Sequence, residues 1–130
     1  MTSGRTRAST FPRQTAGFPN FFIAPNTAFC NYTVCAETIV EWIADCIEMM
    51  SNTGKTTIEA TPEAQDQWGS HVNEIVSGTL MPRANSWYMS ANIAGKPRAF
   101  LPYLGPEGVG GYRRKCDEVA AEGYAGFTLA

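Results

Sequence analysis

Apolar residues recur at helical spacing through one long stretch of this chain. Ala36, Ile39, Val40, Ile43, Ile47 and Met50 fall three or four residues apart, which predicts a helix over about 32–52. Gly54 follows as a left-handed cap. At 1.5 Å per residue this helix is about 30 Å long, the depth of a small domain. Thr61 caps a second helix, with Pro62 at its first position and Glu63 toward the positive end of its dipole. Trp68, Val72, Ile75 and Val76 form the apolar face of that helix. A third helix runs over about 109–122 and stops at Gly123. Between the helices, 21–24, 55–60 and 99–103 read as short strands, and 124–129 as extended chain. The fold class is therefore mixed α/β, three helices with short strands. The strands lack a complete set of partners. Some of them are expected to join a sheet supplied elsewhere, leaving an apolar face of this chain uncovered.

Composition sharpens this picture. At 130 residues the chain fits one domain, expected over 16–130. The first fifteen residues carry Arg5, Arg7 and Arg13, no acid and several Ser and Thr, the composition of a disordered basic tail. A net charge of −2 and no basic stripe set nucleic acid aside as a partner. No apolar run is long enough for a membrane helix, and the first residues lack the apolar stretch of a signal peptide. Cys30, Cys35, Cys46 and Cys116 follow no zinc spacing. All four are read as reduced and the protein as cytoplasmic. His71, one helical turn after Trp68, reads as a boundary side chain. Arg113, Arg114 and Lys115 point different ways around a helix, so they do not make one phosphate site.

Two stretches carry candidate chemistry. The run from Ser86 to Arg98 places Trp87, Tyr88 and Met89 before an amide, Asn92, a hinge, Gly95, and two cations, Lys96 and Arg98. Gly95 and Pro97 exclude a regular element there. A flat ring, an amide and cations suit a ligand with a ring, hydroxyls and phosphates, such as a dinucleotide. The alternative is a surface loop whose Trp plugs a satellite core. The second stretch, Pro25 to Asn31, leads into the long helix, whose N-terminus stabilises negative charge.

The run Ser86-Trp87-Tyr88, Ala91-Asn92-Ile93 and Gly95-Lys96-Pro97-Arg98 resembles the C-terminal control loop of the flavin-containing Baeyer–Villiger monooxygenases, of the cyclohexanone and phenylacetone monooxygenase type. The resemblance continues, in the family's order, through Gly17-Phe18-Pro19-Asn20-Phe21-Phe22-Ile23, Glu41-Trp42-Ile43, Ile58-Glu59-Ala60-Thr61, Trp68 with Val72-Asn73-Glu74-Ile75, Cys116-Asp117-Glu118-Val119, and Gly123-Tyr124 with Gly126-Phe127. It covers roughly Ala16 to Ala130 and implies an incomplete, C-terminal portion of an FAD- and NADPH-dependent enzyme that converts ketones to esters or lactones.

The resemblance implies that Trp87, Asn92 and Lys96 contact the nicotinamide cofactor, and that Thr27, Ala28 and Phe29 line the substrate pocket beside the flavin. Two departures stand out. Ala94 replaces a family Pro, and Ala24-Pro25 replaces Gly-Pro in a loop about two residues shorter. No Gly-x-Gly-x-x-Gly turn occurs in the chain, nor does the family's His followed closely by Trp, and the family's active-site Arg lies upstream of the matched region. No residue here is therefore expected to be catalytic. The chain is expected to hold FAD and NADPH weakly and to be inactive alone. Its expected partners are the missing FAD- and NADP-binding domains, or a second copy through self-association. The alternative is a non-catalytic binding or assembly module derived from that family. An independent thiol enzyme built on Cys30 ranks last.

Overall fold

The computed structural model describes residues 14–23, 31–100 and 102–130. Helix α1 spans Tyr32–Thr53. The Asn31 side chain accepts the Thr33 N–H at 3.0 Å at its start. At its end Gly54 adopts φ 68°, and its N–H returns to the carbonyls of Met50 and Ser51. Only a residue tolerant of the left-handed region closes a helix this way. Strand β1, Ile58–Ala60, leads directly into helix α2, Pro62–Ser77, whose Thr61 cap accepts the Ala64 N–H. Two single 3-10 turns, Met81–Arg83 and Trp87–Met89, precede helix α3, Gly108–Ala121. Strand β2, Phe127–Leu129, ends the fold.

β1 and β2 pair antiparallel, with Ile58 opposite Leu129, Glu59 opposite Thr128 and Ala60 opposite Phe127. These two strands partner each other in a two-stranded sheet. The opposite edge of β1 is taken as well. Asn20 accepts the Ile58 N–H through Oδ1, donates its own N–H to the Ile58 carbonyl, and donates Nδ2–H to the Thr56 carbonyl. Gln14 Oε1 accepts the Ala60 N–H at 3.1 Å. Side-chain amides thus stand where a third strand's backbone would be. For that reason the strand expected at 21–24 does not form over its described part, where a single bridge joins Gln14 to Phe22. Gln14 is fully buried. The strand expected at 99–103 is also absent among the described residues, which there form an irregular path that buries Phe100 and Tyr103.

One core unites these elements. Cys35, Trp42, Cys46 and Met50 of α1 meet Ile58, Trp68, Val72 and Val76, and Tyr112 and Cys116 of α3 close the far side. The Trp42 indole N–H donates to the Cys116 carbonyl at 2.9 Å, tying α1 to α3. The inward face of α1 differs from the expected one. Ile39 and Met50 are buried, but so are Trp42 and Cys46, while Val40 and Ile47 stand exposed. The helix carries two apolar stripes about one residue apart, and packing on α3 selects one of them. The other leaves Val40 and Ile47 exposed. The reading of four reduced thiols is corrected too. Cys46 and Cys116 are buried and form no disulfide, whereas Cys35 is disulfide-bonded.

Candidate functional site

The segment 86–98 has a hydrogen-bonded base and an exposed tip. At the base, the Ser86 hydroxyl accepts the Tyr88 N–H at 3.2 Å, and the Ser86 carbonyl accepts from Met89 and Ala91. Ser90 ends the turn at φ 57°. Met89 is buried and serves as the anchor. The Trp87 ring lies on Tyr88, with centroids 4.0 Å apart and planes 25° apart, and Tyr88 in turn meets Phe100. Trp87 is 57% exposed, which removes the reading of this residue as a core plug. Trp87 and Tyr88 form a flat aromatic ledge facing water.

Asn92 and Lys96 are both exposed on the tip. Lys96 makes no ion pair among the described residues. Gly95 between them sits at φ 77° with open space around a would-be Cβ, so the conformation, not a close contact, requires glycine there. Arg98 differs from its expected role as a ligand-facing cation. Its guanidinium donates to the carbonyls of Pro82 and Ala84, at 3.2 and 2.6 Å, and so staples the loop to the first 3-10 turn. An aromatic face, an exposed amide and an exposed ammonium thus lie along one segment. Tyr88, stacked under Trp87, completes the ledge.

Thr27, Ala28 and Phe29 lie outside the described residues, as does Cys30. The start of α1 behind them is capped by Asn31 and carries no acid in its first turn. The three cations of α3 diverge as expected. Arg113 pairs with Glu41 at 3.1 Å and Arg114 with Glu107, while Lys115 faces α2. Burial raises the Cys46 thiol pKa, partly opposed by its hydrogen bond with Tyr124. Burial, with Cys46 and Asp45 adding in the same direction, pushes the Tyr124 phenol up to about 12. Neither group forms a reactive anion at neutral pH. Among the described residues, no His, Cys, Asp and Glu cluster could hold a metal, and no helix is long and apolar enough to cross a membrane.

No family model matches the chain. Individual proteins do. The acetone monooxygenase (methyl acetate-forming) of Gordonia sp. strain TY-5 is 43% identical over 119 residues, which is 88% of this chain and 22% of that protein. The crystal structure of cyclohexanone monooxygenase from Rhodococcus sp. Phi1 bound to NADP+ superposes with a TM-score of 0.86 at 40% identity, over 94% of this chain and 23% of its own. The OTEMO complex with FAD and NADP gives 0.80 at 33% identity, over 95% of this chain and 22% of its own. The chain spans about a fifth of the length of the relatives it matches. Over most of its own length it is a homologue of the flavin-containing Baeyer–Villiger monooxygenases, corresponding to one segment of their fold.

Proposed function

We propose that this chain supplies the substrate-pocket loop and the cofactor-gating loop of an FAD- and NADPH-dependent Baeyer–Villiger monooxygenase, which converts a ketone to an ester or lactone. In this reading it is inactive without the flavin-binding remainder of that fold. The observation that carries the reading is homology over 88% of the chain but 22% of the relative, in a sequence with no Gly-x-Gly-x-x-Gly turn. When bound, FAD and NADPH supply the redox and oxygen chemistry. The chain itself contributes position. The Trp87–Tyr88 ledge takes the nicotinamide side of the dinucleotide. Lys96 meets a phosphate, Asn92 fixes the closed loop by hydrogen bonds, and Gly95 absorbs the backbone change on closing. Thr27, Ala28 and Phe29 line the ketone pocket. The remainder of the fold docks on the exposed α1 stripe of Val40 and Ile47.

Two experiments test this. The purified chain, given FAD, NADPH and a panel of cyclic and aryl ketones, is expected to form no product, and ester or lactone formation above background overturns its inactivity alone. In a chimera that restores the flavin-binding remainder, turnover is expected, and Trp87→Ala is expected to loosen NADP and slow turnover. A chimera whose NADP affinity and turnover are indifferent to Trp87 overturns the gating role.

A further inference from the structure

A groove of about 400 Å³ runs between α2 and α3, and no residue of the 86–98 segment lines it. Sites for small ligands usually hold roughly 300–1,000 Å³. Trp68 and His71, one turn apart on α2, form one wall. Lys115, Glu118, Val119 and Glu122 form the other, at the spacing that puts residues on one face of α3.

Two observations separate this groove from an ordinary crevice. The first is His71. Its ring is held against Trp68 at 5.8 Å and over Tyr103 at 6.1 Å, yet among the described residues its shielded Nε2 has no hydrogen-bond partner. A buried polar atom without a partner is uncommon in a folded protein and is relieved by a complementary group. The second is charge. The adjacent cations of α3 are committed, Arg113 to Glu41 and Asp117, and Arg114 to Glu107. Lys115, Glu118 and Glu122 make no ion pair among the described residues. Unpaired charges of both signs therefore line one aromatic-walled groove.

The geometry points to this groove as a binding site for a small zwitterion bearing a ring, with the size and chemistry of an aromatic amino acid. The ligand's ammonium meets the Glu118 and Glu122 carboxylates. Through its Nε2 lone pair, His71 accepts from the same ammonium. Lys115 takes the ligand's carboxylate, and the ring packs against the Trp68 indole and Val119. A purely cationic or purely anionic ligand leaves one sign of charge unmet. This inference does not depend on the monooxygenase reading, and its failure leaves that reading intact.

The test uses the full chain and three phenyl probes: L-phenylalanine, phenethylamine and hydrocinnamate. Indole fluorescence is followed at its red edge, where the probes do not absorb. L-Phenylalanine is expected to give a saturable change, with either one-headed analogue binding at least about tenfold weaker. His71→Phe, which keeps a ring and loses the nitrogens, and Glu118→Gln are each expected to weaken L-phenylalanine binding by a similar factor. Backbone amide shifts of the unsubstituted chain provide a readout that needs no variant, and on titration they should move at Trp68, His71, Lys115 and Glu122. The inference is overturned if no saturable change occurs, if either one-headed analogue binds as well as the zwitterion, or if the shifts map elsewhere.

Discussion

Asn20 is the most informative residue to perturb, because one side chain replaces a strand. In Asn20→Ala the Ile58 N–H loses its 3.0 Å partner Oδ1. Ile58 is fully buried and this bond partly so, so the N–H is left poorly solvated and the loss costs about 1–3 kcal/mol. The Thr56 carbonyl loses Nδ2, but Thr56 is exposed and water takes the vacated place. Backbone strain adds to this. Asn20 sits at φ 59°, a region where an ordinary Cβ costs roughly 1–2 kcal/mol. The expected destabilisation of Asn20→Ala is therefore about 2–4 kcal/mol. Asn20→Asp retains Oδ1 and forfeits only the exposed bond, so it should cost less than about 1 kcal/mol. Urea titrations followed by far-ultraviolet circular dichroism give both values, provided the slope of the transition is unchanged. The reasoning fails if Asn20→Ala lies within about 0.5 kcal/mol of the parent, or if Asp proves as costly as Ala.

Trp42→Phe keeps the ring beside Tyr124 but removes the N–H to Cys116, so a loss of about 1–3 kcal/mol is expected in the same titration. Trp68→Ala should cost about 3–5 kcal/mol, and Trp87→Ala only about 0.5–1.5 kcal/mol for the lost stack on Tyr88; thermal melts that order the two the other way would refute the assignment of core and ledge. Tyr124 and Cys46 both hold their protons more tightly when folded. The unfolded chain therefore releases protons first, and stability should be full below about pH 9 and fall as pH rises toward 12. Urea midpoints across that range should drop less steeply in Tyr124→Phe. Cys46 and Cys116 should react with a thiol reagent only on unfolding, since both are buried; rapid labelling of the native chain at either would contradict the packing of α1 on α3.

The helices of this protein are legible in its sequence because their signals are local. Thr61-Pro62 opens α2 and Gly54 closes α1 through contacts within one turn, and the observed bounds of α1 and α3 fall within a residue of the expected ones. The control-loop order from Ser86 to Arg98 is equally local, and so was the resemblance it carried. Pairings across the chain are not encoded this way. Ile58–Ala60 and Phe127–Leu129 carry no mark of each other, and the apolar run at 21–24 looked like a strand because alternation records burial but not who takes the hydrogen bonds. The Asn20 and Gln14 amides took them. The two stripes of α1 are equivalent in spacing, and only the fit of Trp42 and Cys46 against α3 turned Val40 and Ile47 outward. Arg98 shows its charge in sequence, but whether a guanidinium serves a ligand or two carbonyls of its own loop depends on where Pro82 and Ala84 lie. The groove of Trp68, His71, Lys115 and Glu118 likewise exists only once α2 and α3 lie side by side. Local conformational preference acts over a few residues and is written in the order of the chain. Pairing, facing and partnering are decided by which distant groups compete for the same hydrogen bond or the same apolar surface, and that competition is settled only in the folded molecule.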